Sequence, residues 1–343
     1  MFELGKIAVA VASGIVIGIG LLVYFVIPSF GFPGDLSRII KLDDRLALAD
    51  ESTQRMLIVT NSVGVEGIDG SVVQAQLADG YSIENHSSNG LDLISARIYI
   101  GRMIESDPEY IIWVLRPELM GRISPINTEV ASAMRRAGFH TDNPWINGPE
   151  IAGIGPELRD QFAVSDTANL ISMRTIPLRH LNEQVRMKTR RGILPAKPME
   201  LSAPYQMDLM LSEDKLDRHI LDVSSMLADR TSEGNRDGLA FIEQTVEQIT
   251  AAGVTPILVI APTHPGGAEA IGPAEDELVA AIAEISARNN IAVIDLKRTL
   301  SADLFSDAIH PSRDGANLLS TLLGEQLNQT VEAQKADSDK AEP

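Results

Sequence analysis

The sequence predicts an α/β protein built on a parallel sheet, and three observations carry that expectation. Short apolar runs alternate with helix-period segments along most of the chain, the order that yields parallel strands joined by right-handed crossovers. One run, Tyr110-Ile-Ile-Trp-Val-Leu115, is continuously apolar, as a central strand buried on both faces requires. Turns bearing Ser, Asn and His lie just after apolar runs, at the carboxyl edge where such sheets gather ligands.

Taken in order, a first strand is predicted over 56–60 and a helix over 70–78. A short second strand over 81–84 leads into the polar turn Asn85-His86-Ser87-Ser88-Asn89-Gly90. Residues 91–105 have helical periodicity, with Leu91, Ile94, Ile98 and Met103 on one side, until Asp107-Pro108 breaks it before the third strand at 110–115. A helix over 237–252 is ended by Gly253, and a fourth strand follows at 256–261. A helix over 274–289, a fifth strand over 291–296 and a closing helix over 315–327 complete an α/β domain expected to span 52–328. The tail, 329–343, is rich in Glu, Lys, Asp and Ala and is expected to be disordered.

Between the third and fourth strands, 116–236 shows no clear strand pattern and is too long for a plain connection. It collects Arg135, Arg136, Trp145, Arg174, Arg179, His180, Arg186, Lys188, Arg190 and Arg191 in a protein whose formal charge is −18. The segment reads as a mainly helical cap near the site. Its sorted charge fits either an anionic contact (a polyanionic glycan, lipid headgroups or an acidic partner) or a solvated helical face.

The amino-terminal stretch 7–30 is uncharged and almost wholly apolar, enough to cross a hydrocarbon core of about 30 Å as one helix. A cleaved signal peptide competes with this, but its apolar region usually runs about 7–15 residues. We therefore expect an uncleaved anchor over 1–30 and a linker over 31–51. Gly14-x-x-x-Gly18 would let a second helix approach closely. Charge does not set the orientation: Lys6 precedes the span, Arg38, Lys41 and Arg45 follow it, and long domains translocate largely regardless of such charges.

Composition excludes some classes. At 343 residues the chain can bury a sizeable core. Its acidity argues against a nucleic-acid surface, which needs a basic face. It has no cysteine, so disulfides, thiol catalysis and cysteine-ligated metal sites are excluded.

Two segments carry chemistry. In Asp307-Ala308-Ile309-His310-Pro311-Ser312 the carboxylate of Asp307 can accept from one nitrogen of His310, leaving the other to face a nucleophile. In Asn61-Ser62-Val63-Gly64 a serine leaves the first strand where an α/β fold presents a nucleophile. Ser62 would attack an acyl carbonyl as His310 takes its proton, and Asp307 would fix the tautomer and stabilise the imidazolium. This chemistry calls for no cofactor and no metal. Glu66 and Asp69 could ligate a metal together with a histidine, but no metal-ligand spacing accompanies them. His264, after the fourth strand, and His86, in the second turn, are candidates for substrate contact.

These residues resemble the SGNH/GDSL-type hydrolases, in the membrane-anchored branch that includes DltD-like and alginate-acetylation-like proteins. The resemblance covers roughly 54–121 and 235–327. Thr60-Asn61-Ser62-Val63-Gly64 stands where that family has its Gly-Asp-Ser block, with the serine kept and both preceding residues changed. Asp307-Ala308-Ile309-His310-Pro311, followed by Gly315, is similar to the Asp-x-x-His block. The 85–90 turn resembles the block whose glycine amide helps form the oxyanion hole, which implies that role for Gly90. The Gly-x-Asn-Asp block is absent, since the third strand runs into Leu115-Arg116-Pro117-Glu118. Oxyanion donors would then be the amides of Ser62 and Gly90, with Asn89 or Arg116 in place of the missing asparagine; losing one such donor typically costs about 10²–10³ in rate.

The resemblance implies a three-layer SGNH/flavodoxin-like fold with its catalytic domain outside the cytoplasm. It also implies an acylesterase or O-acyltransferase acting on an envelope glycopolymer beside a multi-span, acyl-supplying membrane protein. A general esterase or lipase is the second reading. A binding or assembly protein that keeps the fold without the chemistry is the third, and the absent block is its argument.

Overall fold

Five apolar segments pair into one parallel sheet: Gln54–Val59 (β1), Tyr81–Asn85 (β2), Tyr110–Leu115 (β3), Thr255–Ile260 (β4) and Ala292–Asp295 (β5). Their order is β2-β1-β3-β4-β5, as in flavodoxin-like doubly wound sheets. This computed structural model describes residues 35–47, 52–124, 213–231 and 236–341, with isolated positions between 13 and 18 and between 126 and 145. The strand order reverses between β1 and β3, so the chain leaves those neighbours towards opposite faces and opens a crevice at their carboxyl ends.

Alternation along the strands feeds two cores. Met56 and Ile58 of β1, Ile112 and Val114 of β3, and Ile257 and Val259 of β4 point to one face. There they meet Ser62–Gly67 (α3), Gly70–Gln74 (α4) and the closing helix Arg313–Ala341 (α11) through Val63, Val73, Leu319, Leu323 and Leu327. Leu57, Val59, Ile111, Trp113 and Leu258 point to the other face. That face is covered by Asp35–Ile40 (α1), Leu42–Leu46 (α2), Leu93–Ile104 (α5), Asp237–Ala251 (α8) and Pro273–Asn289 (α10). Two helical layers thus sandwich the sheet, and β3 is buried along its whole length.

Several boundaries differ from the sequence expectations. The expected linker 31–51 contributes α1 and α2, and its Ile39 and Leu42 are 0% exposed in the core. Arg38 and Arg45, counted above as charges that follow the apolar span, are buried and donate to the backbone carbonyl of Asn85 at 3.0 and 2.5 Å. The core pulls this segment in because Ile39, Leu42 and Leu46 are apolar at helical spacing.

After β1 the chain forms α3 at once, where only a turn was expected. Asn61 caps it by accepting from the Val63 amide at 3.1 Å, which offsets the poor helix propensity of Gly64 and Gly67. The expected helix at 274–289 is preceded by a second, Pro265–Ile271 (α9). The tail expected to be disordered continues α11 to Ala341, because Val331 keeps the helical spacing from Leu327 and is buried with it.

Of the insertion 116–236, Pro117–Gly121 (α6) and Glu213–Thr231 (α7) are helical. Arg174, Arg179, Arg186, Lys188, Arg190 and Arg191 lie outside the described residues, as does almost all of the expected anchor at 7–30. Among the described residues no helix is long and apolar enough to cross a membrane.

Candidate active site

The crevice at the end of β1 is where two distant segments meet. Ser62 is the first residue of α3, directly beyond β1. The 305–312 loop reaches it because α3 carries no side chain at Gly67: a Cβ there would lie 2.9 Å from the Pro311 ring. The loop is shaped from inside. Phe305, fully buried, pairs with Pro311 in an isolated antiparallel bridge, and the Ser306 amide donates to the His310 carbonyl at 2.9 Å.

Asp307 organises the rest. Its Oδ1 accepts from the amides of Ile309 and His310, each at 2.8 Å, and its Oδ2 lies 2.9 Å from His310 Nδ1. Burial would raise this carboxyl, but the His310 hydrogen bond and charge and the two amides outweigh it and hold the group at about 2. An ionised carboxylate can only accept, so Nδ1 carries the proton and the lone pair of Nε2 points outward. That lone pair meets Ser62 Oγ at 2.9 Å.

His310 itself is shifted upward. Burial would lower it, but the Asp307 hydrogen bond and the negative charges of Glu66 and Asp307 outweigh both burial and the positive charge of Arg116. Its ring remains partly open, 15% exposed.

The 85–90 turn lies beside Ser62. The His86 and Ser88 amides extend the β1–β2 ladder by donating to the carbonyls of Ile58 and Thr60 at 2.9 and 3.1 Å. Gly64 lets the turn pack flush, since a Cβ there would collide with Ser87 and Thr60. Asn89 and Gly90 follow in the same turn, Gly90 with φ +77° and Asn89 with its Oδ1 buried and unpartnered among the described residues. The amides of Val63, Gly64 and Val65 all donate to Asn61, to its side chain or its carbonyl. Arg116, at the end of β3, is buried in an ion pair with Glu118 at 2.5 Å, close enough for its charge to act on His310.

Two histidines do not take the position expected of substrate contacts. His86 is 0% exposed, with Nε2 held 2.9 Å from Glu84 Oε2, a carboxylate also paired with Arg55. Its ring is packed inside the domain because Ile58 anchors its backbone as an extra rung of the ladder. His264 is 4% exposed and caps α9, its Nδ1 accepting from the Gly266 amide at 3.1 Å. Its ring meets the edge of Phe305 at 5.1 Å, so it braces the 305–310 loop from behind. Asp69 caps α4 through its Oδ1, which accepts from the Ser71 amide at 2.9 Å. Among the described residues no acidic or histidine cluster could hold a metal ion.

Three contributors were given no part in the Ser–His–Asp chemistry by the sequence. Asn61 caps the helix bearing Ser62, and Glu66 lies 3.7 Å from His310 Nδ1. The spacing Ser62-x-x-x-Glu66 was the available signal, because residues four apart share a helix face. The third is α7, which closes the insertion and packs Val223 and Leu227 against Ala308 and Ile271. His219 of α7 accepts from the Ala308 amide at 3.4 Å.

Fold and geometry together describe a doubly wound α/β domain with a Ser–His–Asp hydrogen-bond chain at its topological switch point. No protein-family model and no curated protein match the chain. Among solved structures it is similar to a Bacteroides fragilis NCTC 9343 protein provisionally named an acylhydrolase, at 11% identity over 85% of this chain and 95% of that one, with a TM-score of 0.40. It is also similar to a carbohydrate acetylesterase from Sinorhizobium meliloti, at 11% identity over 82% of this chain and all of the other, with a TM-score of 0.35. Neither likeness is close enough to assign an activity, so the chemistry rests on the site itself.

Proposed function

We propose that this protein is a serine acyl-ester hydrolase working through an acyl-serine intermediate. The observation that carries the reading is the unbroken chain Asp307 Oδ2, His310 Nδ1, His310 Nε2, Ser62 Oγ, with 2.9 Å at both ring nitrogens. In the first half-reaction Nε2 takes the Ser62 proton as Oγ bonds to the acyl carbon. The imidazolium then returns that proton to the departing alkoxide as the ester bond breaks. Water or an acceptor hydroxyl, deprotonated by the same nitrogen, cleaves the acyl-serine in the second half.

The oxyanion requires donors set before it forms. The amide of Ser62 heads α3, where the first N–H groups have no intrahelical acceptor, and its next three neighbours are committed to Asn61. With Gly90 and the side chain of Asn89 from the adjoining turn, and Arg116 across the crevice, this set stands in for an asparagine at the end of β3.

The finer reading is transfer to an envelope glycopolymer by a domain anchored through 7–30 outside the cytoplasm, with a multi-span membrane protein supplying the acyl group. The resemblance of the sequence blocks supports it. Full-length protein in detergent should release acetate from an activated ester, and quenching during turnover should leave an acetyl group on the Ser62 peptide. Adding acetyl-free glycopolymer should divert product from acetate to acetylated polymer. Release of acetate without any acetylated Ser62 would contradict the covalent route. Failure to acetylate the polymer would reduce the function to hydrolysis.

A further inference from the structure

Behind the imidazole lies an acid that this mechanism does not use. Glu66 is 6% exposed, on α3 one turn beyond Ser62, and its Oε2 lies 3.7 Å from His310 Nδ1. At that ion-pair range its charge acts on the histidine that becomes cationic during the reaction.

We infer that Glu66 is a second positioning carboxylate for His310, sharing the Nδ1 side of the ring with Asp307 and able to replace it. This rests on Ser62 and His310 acting as proposed above. Nδ1 carries one hydrogen, and Asp307 accepts it, so Glu66 acts through its charge at rest. If Asp307 is removed, Glu66 must close about 0.8 Å (3.7 − 2.9) to reach the Asp307 distance, within the range of a side-chain adjustment. The ring then keeps its proton on Nδ1 and its lone pair towards Ser62.

The groups facing the ring have defined signs. From the 305–312 loop comes Asp307, negative; from α3 come Glu66, negative, and the neutral Ser62; from the end of β3 comes Arg116, positive. His219 of α7 and His264 before α9 touch the loop through Ala308 and Phe305. Glu66 therefore adds to Asp307 and opposes Arg116, and its charge contributes to the upward shift of His310.

The test is a titration of His310 in full-length protein in detergent, with histidines labelled at Cε1 with carbon-13 and the resonance assigned from His310→Gln. Glu66→Gln, which keeps shape, should lower the His310 midpoint by about one pH unit, and Glu66→Asp should restore most of it. An unmoved midpoint in Glu66→Gln overturns the inference whatever the activity of the protein.

Acylation of Ser62 by a fluorophosphonate supplies the second reading. Asp307→Asn should slow it by about 10²-fold, and the Glu66→Gln/Asp307→Asn pair by about 10⁴-fold, the cost usual when the imidazole loses its orienting acid. A pair no slower than Asp307→Asn alone means that Glu66 does not take over. Absence of any Ser62 adduct in the wild type would refute the serine mechanism, while the titration still decides the role of Glu66.

Discussion

His310 and His86 each lie 2.9 Å from a carboxylate in loops that follow the sheet, yet they differ in every property that matters for catalysis. His310 is 15% exposed, its far nitrogen meets a serine, and its surroundings raise its proton affinity. His86 is fully buried; burial, helped by Arg45 and Arg38, lowers it to about 4 against the pull of Glu84. Its Nδ1 has no partner among the described residues. A histidine–carboxylate pair is therefore not a catalytic unit in itself. What decides is whether the second nitrogen faces a nucleophile from a position solvent and substrate can reach, and whether the charges nearby are mainly negative.

The comparison breaks most visibly when a reactive partner is removed. Ser62→Ala or His310→Gln should each cut ester hydrolysis by about 10⁴-fold or more, and the double variant should be hardly worse, because the two act as a unit. His86→Gln should leave the rate of Ser62 acylation at the wild-type value. Parallel losses in His86→Gln and His310→Gln would erase the distinction between the two histidines.

The stability of the two sites separates with pH. His86 in the unfolded chain takes a proton near 6.5, while in the fold it does so only near 4. The unfolded state therefore binds more protons between those values, and stability falls as pH drops through that window, by on the order of 3 kcal/mol, then levels off. Asp92, raised to about 6 chiefly by burial, has the opposite sign over most of the same window, so the measurable quantity is the difference between wild type and His86→Gln in urea unfolding. That difference should narrow as pH falls from 6.5 to 4. A constant difference would show that His86 titrates normally in the fold.

A smaller effect tests how His310 is aimed. Gly67→Ala adds a methyl 2.9 Å from the Pro311 ring and should push the loop outward, slowing acylation by about 10- to 100-fold, the range that a displacement of about 1 Å produces. Wild-type kinetics in Gly67→Ala would mean that the loop is held by Asp307 and Phe305 alone. The smallest effect is the position of the acid limb of kcat/KM. A protonated His310 cannot accept from Ser62, and its affinity for protons is raised above 6.5, so activity should climb through a midpoint above that value as pH rises. A midpoint below 6.5 would show that burial and Arg116 prevail over the two carboxylates.

The existence of the five strands and the candidacy of Ser62, Asp307 and His310 were legible because each rests on local pattern: apolar runs of strand length, a serine at a strand exit, an Asp and a His three apart. The order of the strands in the sheet was not, because it is set by pairing across the fold. The boundaries were less legible because tertiary burial set them. α1 and α2 look like linker in the sequence since short segments give weak periodicity, and only the core shows Ile39 and Leu42 turned inward. α3 was missed because two glycines in six residues speak against a helix, while the Asn61 cap and packing against Pro311 and Ser87 overrule them. His86 and His264 were legible as residues of the carboxyl edge but not as buried ones, since the direction a ring takes depends on partners such as Glu84 and Phe305. The Ser62-x-x-x-Glu66 spacing puts Glu66 on the helix face of Ser62, but its approach to His310 also depends on a loop some 240 residues later, so the sequence offers it only as a metal ligand.

A nucleophilic Ser62 activated by His310 is the step on which the proposed chemistry turns. It is tested most directly by treating full-length protein with a fluorophosphonate at neutral pH and mapping the adduct by peptide mass spectrometry. One adduct is expected, on Ser62, lost in Ser62→Ala, formed at least about 10³-fold more slowly in His310→Gln, and unchanged in His86→Gln. No adduct on Ser62 in a folded wild-type protein, or an adduct that forms equally fast without His310, would contradict it.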